Sequence, residues 1–459
     1  MPRRRLSPAD MSSLVAERGP VHVHVGATTI MDGEAPDFER LLEHVDSRLD
    51  LVPRFRQRVT PSPLRVMNPE WTDDREFDLR WHVRHSALPR PGTVAQLREY
   101  VGRVMSEPLD FSRPLWQLYL IEGVGEDRHA VISKTHHALV DGVAAVDVGT
   151  ILLDPNPEGT EIPVPEEPPE PDASSPALLF VRAASERIRA PLRRARTRAL
   201  EAITMPGETA ARVTRTVEGF TELATLGPTC PPSSLNVEIG RDRRVAIVRA
   251  DLQAIKDARG DQGATVNDVI LAIAAGGLRR FLAARGEELP SYLVALVPVS
   301  VRRPDEQDEL GNRISTILVR LPLSVDDPAE RLELIRKDTA RLKQSEQARA
   351  ASLIIQATGW TPPTVNRLIS RAMDAPRVFN LVVSNVPGPQ MPFYLLGRPM
   401  REVYPFVPLS PQGHALSIGV VSYDGGVFYG LTADRRVVAD IDELASAVSE
   451  AVEEQTRRG

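Results

Sequence analysis

Between Trp116 and Gly142 the chain reads WQLYLIEGVGEDRHAVISKTHHALVDG, and this stretch decides both the fold class and where chemistry has to be sought. Trp116, Leu118 and Leu120 alternate with Gln117, Tyr119 and Ile121, the period of two that marks a strand. Gly123 to Asp127 supplies a turn rich in Gly and acidic residues, and Ala130 to Thr135 returns as a second strand. That strand delivers His136 and His137, and a helix is expected to start near Gly142 and run to about Leu153. A histidine at a strand exit, ahead of a helix, is held by rigid elements yet opens to a cleft, which is where a general base has to stand. Its ordinary pKa near 6.5 leaves the imidazole neutral at pH 7 and able to accept a proton.

Two other readings of the same residues stay open. Asp141 suits the N-cap of the helix from Gly142, and on the functional reading too its task is structural, ordering the loop that carries His137. Arg54, Arg56 and Arg58 are candidate partners for it, or simply surface charge. His137 and Asp141, four apart, have the spacing of two metal ligands, but no further His or Cys lies near them in sequence and a mononuclear site needs at least three. No metal is expected.

A second hairpin is legible at Ala415–Tyr423 and Val427–Thr432 around Asp424-Gly425-Gly426, followed by a closing amphipathic helix from Ile441 to Arg457. Hairpins that lead into helices predict an α/β fold with mixed sheets. From Asp154 to Pro176, eight prolines and seven acidic residues interleave with little apolar periodicity, which reads as a linker. A helical segment follows from Ala177 to about Leu226, with seven arginines between Arg182 and Arg198 and Pro191 to kink it. The expected organisation is therefore an N-terminal domain over 1–153, a linker and crossover over 154–240, and a C-terminal domain over 241–459. No residue-level repeat relates the two halves.

At 459 residues with 42% apolar and 26% charged residues, the chain is long enough for two domains and a large core. The formal net charge of −6 argues against nucleic acid as a partner. The single Cys230 makes no intrachain disulfide and no Cys-rich metal site, so a reducing cytoplasm is the expected compartment. The basic start, Met1 to Arg5, has no continuous apolar run after it. Val269–Leu278 and Leu293–Val301 are the longest apolar runs and fall well short of the roughly 20 residues that span a bilayer.

Further motifs extend the reading across the chain: Leu6-Ser7 with Asp10, Leu109-Asp110, Pro114-Leu115-Trp116, Lys134 through Gly142, Thr265-Val266-Asn267-Asp268, Pro298 through Arg302, Gly311-Asn312, and Ser384-Asn385-Val386-Pro387-Gly388-Pro389. With these the chain resembles, over nearly its whole length, the bacterial wax ester synthase/acyl-CoA:diacylglycerol acyltransferases of the actinobacterial triacylglycerol synthase type. The histidine motif alone is shared with chloramphenicol acetyltransferase-like enzymes and peptide-synthetase condensation domains. The resemblance implies two chloramphenicol acetyltransferase-like domains, joined by the Pro-rich and helical linker, with a solvent channel between them. It implies His137 as the general base, supported by His136, Asp141 and Gly142, and Asn267 as oxyanion donor with Asp268 beside it. A purely structural reading of the latter pair, a loop-holding Asn267 and a first-turn carboxylate Asp268, stands next to it. Pro114-Leu115-Trp116 reads as packing, with Trp116 buttressing the sheet beneath His137. At Leu235-Asn236 the family often continues with Gly-Pro, whereas Val237-Glu238 follow here.

The implied reaction is transfer of a long-chain acyl group from acyl-CoA, a co-substrate and not a resident cofactor, to diacylglycerol, with fatty alcohols as a second acceptor class. Diacylglycerol is insoluble, so peripheral contact with the inner face of the plasma membrane or with lipid droplets is expected. The arginines of 182–198, interleaved with Phe180, Val181, Ile188 and Leu192, would serve it, unless they are a solvated helix face. Transfer to another hydroxyl or amine, and a non-catalytic lipid-binding protein that keeps the fold, are the competing readings. The intact His136-His137 and Asp141-Gly142 disfavour the last.

Overall fold

The computed structural model describes residues 6, 13–14, 17, 19–61, 69–139, 149, 151–159, 230–261, 263–300, 314–344, 378–410 and 413–457. Ser7, Asp10, Asp141, Gly142, the linker from 160 onward with the arginine-rich segment, Val301, Arg302, Gly311 and Asn312 lie outside the described residues.

The first sheet grows from the hairpin read in the sequence. In chain order come β1 (His24–Asp32), α1 (Phe38–Asp46), a small ribbon of β2 (Gln57–Thr60) and β3 (Glu70–Asp73), α2 (Leu79–His82), β4 (Val83–Ala87), α3 (Val94–Ser106), β5 (Trp116–Glu122) and β6 (Arg128–His136). Trp116 pairs with Thr135 and Ile121 with Ala130 across β5 and β6. The turn between them needs left-handed backbone, taken up by Gly123, Gly125 and Asp127. β4 runs parallel to β5, with α3 as the crossover that parallel pairing requires. Every residue of β5 except Glu122 is buried, because the strand is covered on both faces.

A second six-stranded sheet follows. It is built from β7 (Arg243–Asp251), then α4 (Leu252–Asp257) and α5 (Val266–Ala284), β8 (Tyr292–Ser300), β9 (Ile314–Pro322), α6 (Pro328–Gln344) and β10 (Leu381–Pro387). Two strands, β11 (Tyr394–Leu395) and β12 (Arg398–Phe406), precede the expected second hairpin, β13 (Leu416–Tyr423) and β14 (Gly426–Asp434), and the closing helix α7 (Ile441–Thr456). The order is β7-β14-β13-β10-β8-β9, with β10 parallel to both β13 and β8 and the other pairs antiparallel. The mixed α/β class read from the sequence is the one observed. The apolar run Val269–Leu278 is the middle of α5, buried all round in the core of this half.

The two sheets are interlocked. β11 and β12 belong to the first sheet, whose order is β11-β12-β1-β6-β5-β4, and β12 pairs antiparallel with β1 from Gly26↔Phe406 to Met31↔Met400. The core of the first half accordingly takes in Val245, Tyr404, Tyr423 and Phe428 from late in the chain. The C-terminal end of α3 is a second junction. Lys134 Nζ donates to the carbonyls of Val104 (2.7 Å) and Glu107, and His24 Nε2 to that of Met105 (2.9 Å). The amide of Arg243, opening β7, donates to Ser106 Oγ at 2.7 Å. Helix-end carbonyls left without intrahelical donors are thus satisfied from β1 and β6, and the neighbouring Ser106 hydroxyl receives β7. Among the described residues no helix is long and apolar enough to cross a membrane, and no group of three or more His, Cys, Asp and Glu could hold a metal ion.

Candidate active site

β6 ends on His136, which lies opposite His24 of β1, and the chain then turns under four hydrogen bonds. His136 N donates to Leu115 O and His137 N to Val23 O, each at 2.9 Å, and Leu139 N donates back to His136 O at 2.9 Å. The fourth comes from a side chain: the Ala138 amide donates to His136 Nδ1 at 3.0 Å. His136, Ala138 and Leu139 are buried, while His137 between them is exposed. The turn therefore presents one imidazole and hides the other.

An Nδ1 that accepts from an amide carries no proton, so His136 is the neutral ring with its hydrogen on Nε2. That hydrogen goes to Glu17 Oε2 at 2.7 Å. The same carboxylate oxygen accepts from Val23 N at 3.2 Å, and Oε1 lies 3.8 Å from His22 Nδ1. Burial pushes the Glu17 carboxyl up, but the hydrogen bond from His136 and the nearby His22 outweigh it and hold the group far below the usual carboxylate range. Phe111 packs its ring edgewise against His136 at 5.6 Å.

His137 Nδ1 lies 3.3 Å from Ser13 Oγ. Burial pushes its pKa below the ordinary value. A hydrogen bond to the residue's own main chain opposes the shift. A lowered pKa keeps the group neutral at pH 7, and when Nδ1–H donates to Ser13 Oγ, Nε2 is the basic nitrogen. Beneath it, fully buried Lys134 has its pKa pushed down to about 7, burial being the largest cause. Trp116 is the buttress its position suggested: its ring stacks on Phe55 and His82, its Nε1 donates to Phe55 O at 2.7 Å, and its carbonyl takes His82 Nδ1 at 2.8 Å.

Asn267 and Asp268 open α5. The expected helix start near Thr265 is observed as a capping box: Thr265 Oγ1 accepts from Asp268 N at 3.2 Å, and Asp268 Oδ2 accepts from Thr265 N and Oγ1 at 2.8 and 2.7 Å. Asp268 Oδ1 takes the Thr339 hydroxyl at 2.7 Å. Both oxygens of this buried carboxylate are therefore engaged in holding α5 and α6. Asn267 Oδ1 accepts from Asn385 Nδ2 at 3.3 Å, which joins the first turn of α5 to the strand of the Ser384–Pro389 motif. These hydrogen bonds define two groups, one around His136 and His137 and one around Asn267 and Asn385.

Of the arginines proposed for Asp141, Arg56 pairs with Asp46 at 2.9 Å, Arg58 donates to Ser112 O at 3.2 Å, and Arg54 lies over the Trp71 ring. Asn236, where the chain departs from the family pattern, is clasped to Asn380, whose Nδ2 donates to Asn236 Oδ1 at 2.7 Å. Ser13, Glu17 and Val23 had not been singled out in the sequence. Glu17 is one acidic residue in an unremarkable segment, and its partner lies 119 residues away.

The fold and this site define an acyltransferase-type molecule, two interlocked sheets with an exposed histidine at a strand end. Residues 6–270 match the wax ester synthase/diacylglycerol acyltransferase catalytic domain and residues 310–455 the WS/DGAT C-terminal domain. The chain belongs to the wax ester synthase/diacylglycerol acyltransferase family, and it is an enzyme of that class. It is 33% identical over 455 residues, 96% of each chain, to "Probable diacyglycerol O-acyltransferase tgs2" of Mycobacterium tuberculosis. The solved wax ester synthase/diacylglycerol acyltransferase from Marinobacter aquaeolei VT8 superposes with a TM-score of 0.69 at 27% identity, covering 99% of both chains. The starter condensation domain of rhizomide synthetase, solved in complex with C8-CoA and Leu-SNAC, shares the fold with a TM-score of 0.59 at 15% identity, over 99% of this chain and 94% of that one.

Proposed function

We propose that this enzyme transfers a long-chain acyl group from acyl-CoA to the free hydroxyl of diacylglycerol, forming triacylglycerol, and that long-chain alcohols serve as a second acceptor class. The observation that carries the reading is the presentation of His137, neutral and exposed, at the end of β6. The acceptor hydroxyl attacks the thioester carbonyl while His137 Nε2 takes its proton, a contribution worth about 10²- to 10⁴-fold. The tetrahedral intermediate then collapses: the carbon–sulfur bond breaks, the ester forms, and His137 returns the proton to the CoA sulfur. No acyl-enzyme is needed, and the thioester supplies its own leaving group, so no cofactor enters. With Asn267 Oδ1 turned to Asn385, its Nδ2 is the donor offered to the oxyanion. His136, Asp141 and Gly142 support the loop on this reading, and the reaction takes place peripherally, at a cytoplasmic lipid surface where diacylglycerol resides.

The test uses purified protein with palmitoyl-CoA and either diacylglycerol or a long-chain alcohol, following CoA release and the lipid product, with His137→Ala in parallel. The wild type should release CoA only with acceptor present and the variant should lose that turnover. A wild type inactive with both acceptors overturns the substrate assignment, and a folded His137→Ala with full turnover overturns the base.

A further inference from the structure

The turn that presents His137 is held at two successive amides, and both holders lead to one side chain. The amide of His137 itself goes to Val23 O, and the amide of Ala138, the next residue, goes to the ring of His136. Val23 and His136 are each bonded in turn to Glu17 Oε2, the first through its N–H and the second through Nε2–H. A single carboxylate oxygen thus ties the lead-in of β1 to the end of β6 on either side of the exposed imidazole. We propose that Glu17 is a positioning residue for the acyl transfer: by accepting from His136 Nε2 and Val23 N it fixes the tautomer and ring plane of His136, and through them the turn that aims His137. This rests on His137 acting as the base.

Physical reasoning favours a role beyond packing. His136 is fully buried, and a buried ring nitrogen loses its water on folding, so it keeps a single tautomer only if both nitrogens are assigned. Nδ1 is assigned by the Ala138 amide. Nε2 is assigned by Glu17, and its charged acceptor makes this the stronger bond of the two. Without the carboxylate the proton can move to Nδ1, where it would face the Ala138 N–H and push it away. The charged or titratable groups around this centre are His22 ahead of β1, His24 opening it, Lys134 on β6, and His136 and His137 themselves. A displacement of about 1 Å in a reacting group costs on the order of 10²-fold in rate.

The experiment compares wild type, Glu17→Leu and Glu17→Gln as full chains, each checked by circular dichroism. Glu17→Leu removes the acceptor and should lower kcat by about 10- to 100-fold while KM for palmitoyl-CoA stays within about threefold. Glu17→Gln keeps an oxygen acceptor and should restore kcat to within about fivefold of wild type. Ring ¹⁵N shifts give a readout that needs no turnover: the neutral His136 ring should hold its proton on Nε2 in the wild type and populate both tautomers in Glu17→Leu. A wild-type proton on Nδ1 overturns the proposal with no variant at all. So does a folded Glu17→Leu with wild-type kcat, or an equal loss in both variants. Absence of acyl transfer by the wild type would instead sink the function on which the proposal rests, and the ring shifts would still decide what Glu17 holds.

Discussion

Gly430 of β14 meets the carbonyl oxygen of Pro405 so closely that a Cβ built on it would stand 1.9 Å from that oxygen, and Gly419 of β13, its cross-strand partner, would place one at 2.8 Å. This pair of glycines lets the end of β12, a strand of the first sheet, lie directly on the second. Gly430→Ala should therefore force the sheets apart and cost about 3 kcal/mol or more. Chemical denaturation is the measurement; a loss below about 1 kcal/mol would mean that the contact yields freely.

The pH dependence of activity follows from His137. Burial lowers its pKa, so the base stays unprotonated below its ordinary value. The acidic limb of kcat/KM should fall below pH 6.5, and activity at pH 6.5 should stay above half of the plateau. An acidic limb at or above about pH 7 contradicts this.

Lys134 links stability to pH with a definite sign. Its folded pKa is pushed down to about 7, whereas the unfolded chain keeps it near 10.4. Between these values the unfolded state binds the extra proton, so this group makes stability rise with pH from about 7 to about 10, by a few kcal/mol at most. Below about 7 both states are charged and the slope vanishes. Lys134→Met also strips donors from the Val104 and Glu107 carbonyls, at a cost of about 1–3 kcal/mol. The Tm gap between wild type and Lys134→Met should widen from pH 7 to pH 9.5; a constant gap would refute the linkage.

Asn267 and Asp268 separate by phenotype. Asp268→Ala removes a capping box and the Thr339 bond and should cost about 1–3 kcal/mol of stability. Asn267→Ala should leave Tm nearly unchanged and lower kcat by about 10²- to 10³-fold, the usual loss for an oxyanion donor. Thermal melts beside steady-state kinetics decide the matter, and an Asn267→Ala enzyme with normal kcat dismisses the oxyanion role.

Much of the architecture was legible because its signals are local. The hairpin Trp116–His136, the turn glycines 123 and 125, the helix start at Thr265 and the hairpin at Asp424-Gly425 are each set by residues within a few positions of one another. The same holds for His137, whose place at a strand exit is a property of β6 alone. What lay beyond local reading was pairing over long separations. Nothing near Arg398–Phe406 announces that this strand joins β1 in the other sheet.

By itself, then, the sequence determined the α/β class, the strand that delivers the histidine motif, the acyltransferase family and the place of His137 at that strand's exit. Tertiary structure alone decided the long-range partners: Glu17 and Val23 brought to His136 and His137, Asn385 brought to Asn267, and Thr339 brought to Asp268. The reason is physical. Periodicity and capping act through the covalent neighbourhood, where chain geometry restricts the choices to a few. A carboxylate seeking a donor 119 residues away is selected only when the fold brings it against the start of β1 and the end of β6, and desolvation leaves the buried ring nitrogen no water to bond instead.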